Sequence, residues 1–68
     1  MHRVEVMYSA AENAIDVARR ASDLLDVAGH EQEASEMRRR IVAALESQRE
    51  QEAVLGIVGE YVELLSLQ

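Results

Sequence analysis

Apolar residues in the first half of the chain fall into a helical rhythm. Met7, Ala11, Ala14, Ala18, Ala21, Leu25 and Ala28 recur at steps of four and three, a spacing that lays one narrow apolar stripe along a helix. Ser9-Ala10-Ala11-Glu12 has the form of a capping box, in which the serine caps the first turn and the glutamate reaches back to the serine amide. A helix is therefore predicted over about 9–28, with an extension back to residue 3 as the alternative. Gly29 ends it, because glycine accepts the left-handed conformation at a helix C-terminus. A second stripe follows in Ala34, Met37, Ile41 and Ala44, with Leu45 beside it. A turn at 29–30 makes the two helices antiparallel neighbours, and the many alanines let them approach closely.

Three segments fit this rhythm less well. Val4, Val6 and Tyr8 alternate as a short strand would, while Val4, Met7 and Ala11 prolong the helical stripe. A lone strand has no partner, so helix or frayed coil is the preferred reading of Met1–Tyr8. The stretch Glu46–Glu52 holds no apolar residue. Its Ser47-Gln48-Arg49-Glu50 is a second capping-box match, which would start a third helix, but it contains no glycine or proline to stop the second. The preferred reading is one long helix over about 31–67, kinked, with a break at 46–52 as the alternative. If the seam ran on, Gln48 and Gln51 would occupy core positions. Finally, Val54, Leu55, Ile57, Val58, Tyr61, Val62, Leu64, Leu65 and Leu67 are apolar on nearly every side of a helix, which predicts burial on nearly every side. One short hairpin cannot cover such a segment, so either it packs in the centre of a three-helix bundle or it meets a second chain, two hairpins then making a four-helix dimer.

Composition narrows the picture. With 68 residues the chain forms one domain at most, and a core this small is marginal, so that stability rests on tight helix packing or self-association unless disulfides or a metal contribute. There is no cysteine, so disulfides and thiolate metal sites are out of reach. Proline is absent and good helix formers dominate, while 49% hydrophobic content is too high for a disordered tail. The formal net charge of −6 weighs against general nucleic-acid binding and suits an acidic cytoplasmic protein or one that docks on a basic surface. No signal peptide and no membrane span are legible, since the most apolar stretch is short and carries Glu60 and Glu63.

Candidate chemistry is sparse. All seven cationic residues are arginines, and five form the clusters Arg19-Arg20 and Arg38-Arg39-Arg40. In an antiparallel hairpin Arg19 lies level with Arg40 and Arg20 with Arg39, giving one belt able to grip carboxylates or phosphates. Asp16, Asp23 and Glu36 stand four residues from Arg20, Arg19 and Arg40, so a salt-bridged surface is the plainer reading. Ala53, Gly56 and Gly59 recur every third residue and suggest a close helix contact, a kink or a flexible docking segment, with ordinary packing the plainer reading. His30 and Glu33 lie one turn apart, His2 lies far from both, and two such groups alone make a weak metal site. No nucleophile motif or glycine-rich phosphate loop is present.

The sequence thus predicts an all-α, single-domain protein: an antiparallel helical hairpin with a long second helix, assembled as a homodimeric helical bundle. The expected function is that of a non-enzymatic protein-binding regulator or adaptor without metal or cofactor. Leu55, Val58, Tyr61, Val62 and Leu65 form its expected docking face, and the arginines form a second surface. The alternative is a structural subunit or co-chaperone whose C-terminal helix is a permanent interface. Nucleic-acid binding through the arginine belt is a third reading. In outline the pattern resembles the short helical-hairpin proteins that serve as adaptors, co-chaperones or antiactivators in bacteria and their phages. That resemblance is architectural and implies no residue roles.

Overall fold

The computed structural model describes residues 3–67. Met1, His2 and Gln68 lie outside the described residues, and with them the sequence reading of His2. Five elements follow in order: β1 (Glu5–Ser9), α1 (Ala14–Val27), α2 (Glu31–Glu46), α3 (Gln51–Tyr61) and β2 (Glu63–Leu67). The two strands pair in parallel, Val6 opposite Leu64 and Ser9 opposite Leu67. The fold is therefore mixed α/β, which corrects the all-α expectation. The parallel pairing closes the chain on itself: first and last elements lie side by side and three helices form the crossover between them.

The strand alternation of Val4, Val6 and Tyr8 is the pattern that governs the N-terminus, because a partner strand does exist. It lies inside the segment that reads as one apolar helix. Val54 and Val58, four residues apart, give α3 its buried side. The helix ends at Tyr61, and Val62, fully buried, passes into β2. Apolarity on all sides is the sum of one helix face and one strand. The core that results joins Val6, Ala14, Val17, Ala18, Ala21, Leu25, Ala34, Met37, Ile41, Val54, Val58 and Val62. Ala14, Ala18, Ala21 and Leu25 of the seam and the α2 stripe are buried as their spacing predicts, each helix packing on the other two, whereas Met7, Ala11 and Ala28 of the seam are exposed. A four-helix dimer is no longer required to cover the C-terminal segment, since its Val54, Val58 and Val62 are buried within their own chain.

The second helix is not continuous to residue 67. It ends at Glu46, and the 46–52 stretch holds a turn. Gln48 there adopts φ 58°, with its N–H donating to the Leu45 carbonyl (3.0 Å) and the Arg49 N–H to the Ala44 carbonyl (2.9 Å). These are the paired hydrogen bonds of a Schellman ending, with Gln48 in the position that glycine favours. The α1 ending is the same device with glycine in place: Gly29 at φ 87°, its N–H on the Asp26 carbonyl (3.1 Å) and the His30 N–H on that of Leu25 (2.8 Å).

The start of α1 also differs from expectation. The Ser9–Glu12 hydrogen bonds do form, with the Ser9 N–H donating to the Glu12 carboxylate at 2.7 Å and the Ala11 N–H to Ser9 Oγ at 3.1 Å. They fold a turn that closes β1, however, and the helix begins only at Ala14. Asn13 is its cap, accepting from the Ile15 N–H at 2.8 Å. Gln51 provides a second cap. Its side-chain oxygen accepts from the Ala14 N–H at 3.0 Å and so ties the start of α3 to the start of α1.

Candidate protein-binding surface

Each sequence-predicted site residue has a definite place. Val58 and Val62 are core residues with no exposed surface, so they are not available to a partner. Leu55 and Tyr61 are half-buried against the same core. Tyr61 is further held by polar contacts: its hydroxyl donates to Glu36 and accepts from Arg40 (3.1 Å), whose guanidinium lies 5.6 Å from the ring centre. Leu65 sits in β2 beside Met7. The five residues thus lie on α3, at its C-cap and on β2, and do not make one helical docking face.

The five arginines do not form one belt either, although Arg19 and Arg38 line the same groove between α1 and α2. Arg20 turns toward β1, pairing with Glu12 and donating to the Met7 carbonyl at 2.7 Å. Arg40 turns toward α3, with two bonds to the Glu60 carboxylate at 2.8 and 2.9 Å. Arg38 spans α1 and α2, bonding Ser22 Oγ and lying 3.3 Å from Asp26. Arginine thus serves mainly to join elements. These partners are distant in sequence, unlike the four-residue pairs with Asp16, Asp23 and Glu36, because side chains at element junctions reach across to the nearest carboxylate.

The electrostatics follow from these pairs. The hydrogen bond from Arg20, reinforced by the Ser9 amide, holds the Glu12 carboxyl below the usual carboxylate range. The hydrogen bond from Arg40 does the same for Glu60. In return Glu60, and then Tyr61, raise the Arg40 guanidinium above its ordinary value. His30 Nδ1 lies 3.6 Å from Glu33, both side chains being exposed. Among the described residues no group of three or more His, Asp or Glu side chains is placed to hold a metal ion. No helix among them is long and apolar enough to cross a membrane.

One apolar part of the surface left over lies on α1 and α2. A groove of about 380 Å³ runs between them, floored by Ala18 and Ile41 and flanked by Ile15, Val42 and Leu45. Val42 is 54% exposed and Leu45 41%. Along the outer side of α2, Val42 lies between Arg39 and Glu46, which have no ion-pair partner among the described residues. Sequence reasoning passed over Val42, since it falls off the buried stripe. The signal that could have found it was an apolar residue on the polar side, with opposite charges one turn before and after it.

No family model, curated protein or solved structure matches the chain.

Proposed function

We propose that this protein is a non-enzymatic, protein-binding adaptor or regulator that works as a pair of chains joined by helix–helix contact along α2. One observation carries the reading: the exposed side of α2 is complementary to itself. Arg39 and Glu46 are two turns apart, on one side of the helix and equidistant from the midpoint between Val42 and Ala43. When a second copy of α2 lies antiparallel across this midpoint, Arg39 of each chain meets Glu46 of the other. Val42 then packs against the small Ala43 opposite. An isologous contact of this kind uses every interaction twice. Ile15 and Leu45 widen the apolar centre, and the groove beside Val42 gives the partner's side chains a recess.

Light scattering or sedimentation over a wide concentration range tests the reading. The expected result is a reversible dimer. Arg39→Glu or Glu46→Arg each create two like-charge contacts and should weaken association at least about tenfold. The double exchange Arg39→Glu with Glu46→Arg should restore it, while circular dichroism stays unchanged throughout. A wild-type chain that remains monomeric at the highest soluble concentration would refute the pairing, as would a dimer indifferent to both single reversals.

A further inference from the structure

The two edges of the sheet are not equivalent. Successive residues of a strand direct their backbone groups to opposite sides, and the Glu63 N–H donates to the Val4 carbonyl at 2.8 Å. With the observed register, Val4, Val6 and Tyr8 face β2, and Glu63, Leu65 and Leu67 face β1. The outward groups are then those of Glu5, Met7 and Ser9 on one edge, and of Leu64 and Ser66 on the other.

The β1 edge is covered along its Met7–Ser9 end. Arg20 donates to the Met7 carbonyl, the Glu12 carboxylate accepts from the Ser9 N–H, and the Glu12 N–H donates to the Ser9 carbonyl at 3.0 Å. Side chains that occupy an edge in this way prevent another strand from adding to it. The β2 edge has no such cover. Among the described residues no hydrogen bond beyond the ladder reaches the Leu64 or Ser66 backbone. The outer face of the sheet is also open, with Met7 55% and Leu67 49% exposed and Leu65 half-buried between them. Parallel strands are as a rule covered on both faces, and two strands alone are marginal. Glu5 and Glu63 stand directly opposite each other at one end of this face, a like-charge pair that a neighbouring cation would relieve.

We infer that the free edge of β2 is a binding site for an extended segment of another protein, which adds a third strand beside Leu64 and Ser66. Its recognised chemistry is an alternation that places apolar side chains next to Leu65 and Leu67 and a lysine or arginine next to Glu63. Backbone hydrogen bonds provide the attachment, and the alternate side chains provide the selectivity. This surface is separate from α2, so the inference does not depend on the pairing of chains proposed above.

The test uses the full chain and a synthetic heptapeptide alternating valine and threonine with a lysine at one end. Its titration into isotopically labelled protein should shift the Leu64 and Ser66 amide signals and slow their hydrogen exchange. Replacing the peptide lysine by glutamate should weaken binding several-fold, and so should Glu63→Gln. Ser66→Pro removes an outward N–H without removing a ladder bond, a position where an edge strand tolerates proline. It should lower affinity at least about tenfold with the circular dichroism unchanged. If Ser66→Pro does not fold, the wild-type exchange rates at Leu64 and Ser66 still decide the matter. Peptide-induced changes confined to α2, a Ser66→Pro variant that binds as wild type, or no response at Leu64 and Ser66 would each overturn the assignment. Leu64 and Ser66 signals that instead move on dilution of the peptide-free protein would assign the edge to a second copy of β2 and overturn it equally.

Discussion

The turns that end α1 and α2 are made of the same hydrogen bonds and differ in one residue. At the first, Gly29 takes the left-handed conformation; at the second, Gln48 takes it at φ 58°. Glycine lacks the Cβ that makes this region unfavourable, whereas an L-residue with a side chain loses about 1–2 kcal/mol there. The first turn is therefore written into the local sequence. The second is imposed from a distance, by contacts that become available only when the chain reverses: the Gln51 oxygen on the Ala14 N–H, the burial of Val54 and Val58, and the Arg40–Glu60 pair between α2 and α3. Strain at Gln48 is the local cost of bringing β2 back to β1.

Substitutions at the two turns should separate these causes. Gly29→Val places a β-branched side chain where φ is 87°. Open space surrounds the site, so the loss comes from the backbone alone. We expect about 2 kcal/mol of destabilisation, seen in thermal melting as a fall of roughly 8–16 °C for a domain of this size. A melting temperature within error of wild type would show that the first turn is also held by tertiary contacts. Gln48→Gly should act in the opposite direction and less strongly. Relief of the left-handed strain adds about 1 kcal/mol, partly offset by the greater freedom of glycine in the unfolded chain. A denaturant midpoint that moves down rather than up would mean that the Gln48 side chain makes a contribution of its own.

The smallest effect is expected from acid. Folding holds the Glu60 carboxyl below its ordinary value through Arg40. The pair therefore supports the native state fully above the unfolded carboxylate range near 4.5, and the support fades as pH falls through the lower folded-state value. The Glu12–Arg20 pair follows the same sign. Both carboxylates are solvent-accessible, so the change should be modest. Hydrogen exchange followed from neutral to acid pH should show α3 losing protection before the α1 residues next to Gly29. Uniform loss along the chain would remove the distinction between the two turns.

The same division runs through the functional surfaces. Burial along α1 and α2 was legible because alanines at a helical period point to one side wherever the helix is placed. The Ser9–Glu12 hydrogen bonds were legible too, since they depend on four neighbouring residues. Their consequence was not: identical bonds cap a helix or close a strand edge, depending on what precedes Ser9. The arginines illustrate the limit most plainly. Their clustering suggested one patch, yet Arg20, Arg38 and Arg40 point to β1, α1 and α3, because each finds its carboxylate across an element junction. Val42 and the Leu64–Ser66 edge, which now define the candidate surfaces, became visible only after the core had claimed its share of the apolar residues.

The sequence by itself determined what short-range physics can specify: two amphipathic helices, the Gly29 turn between them, and the absence of disulfide chemistry. The tertiary structure alone decided that β1 has a partner, that residues 62–67 are extended rather than helical, and that Gln48 bends the chain. The reason is range. A helix satisfies its backbone within four residues, so its pattern is local. A parallel strand pair satisfies its backbone across the whole chain, here from Glu5 to Glu63, and an apolar run such as Val62–Leu67 is compatible with either state until the opposite strand is in place.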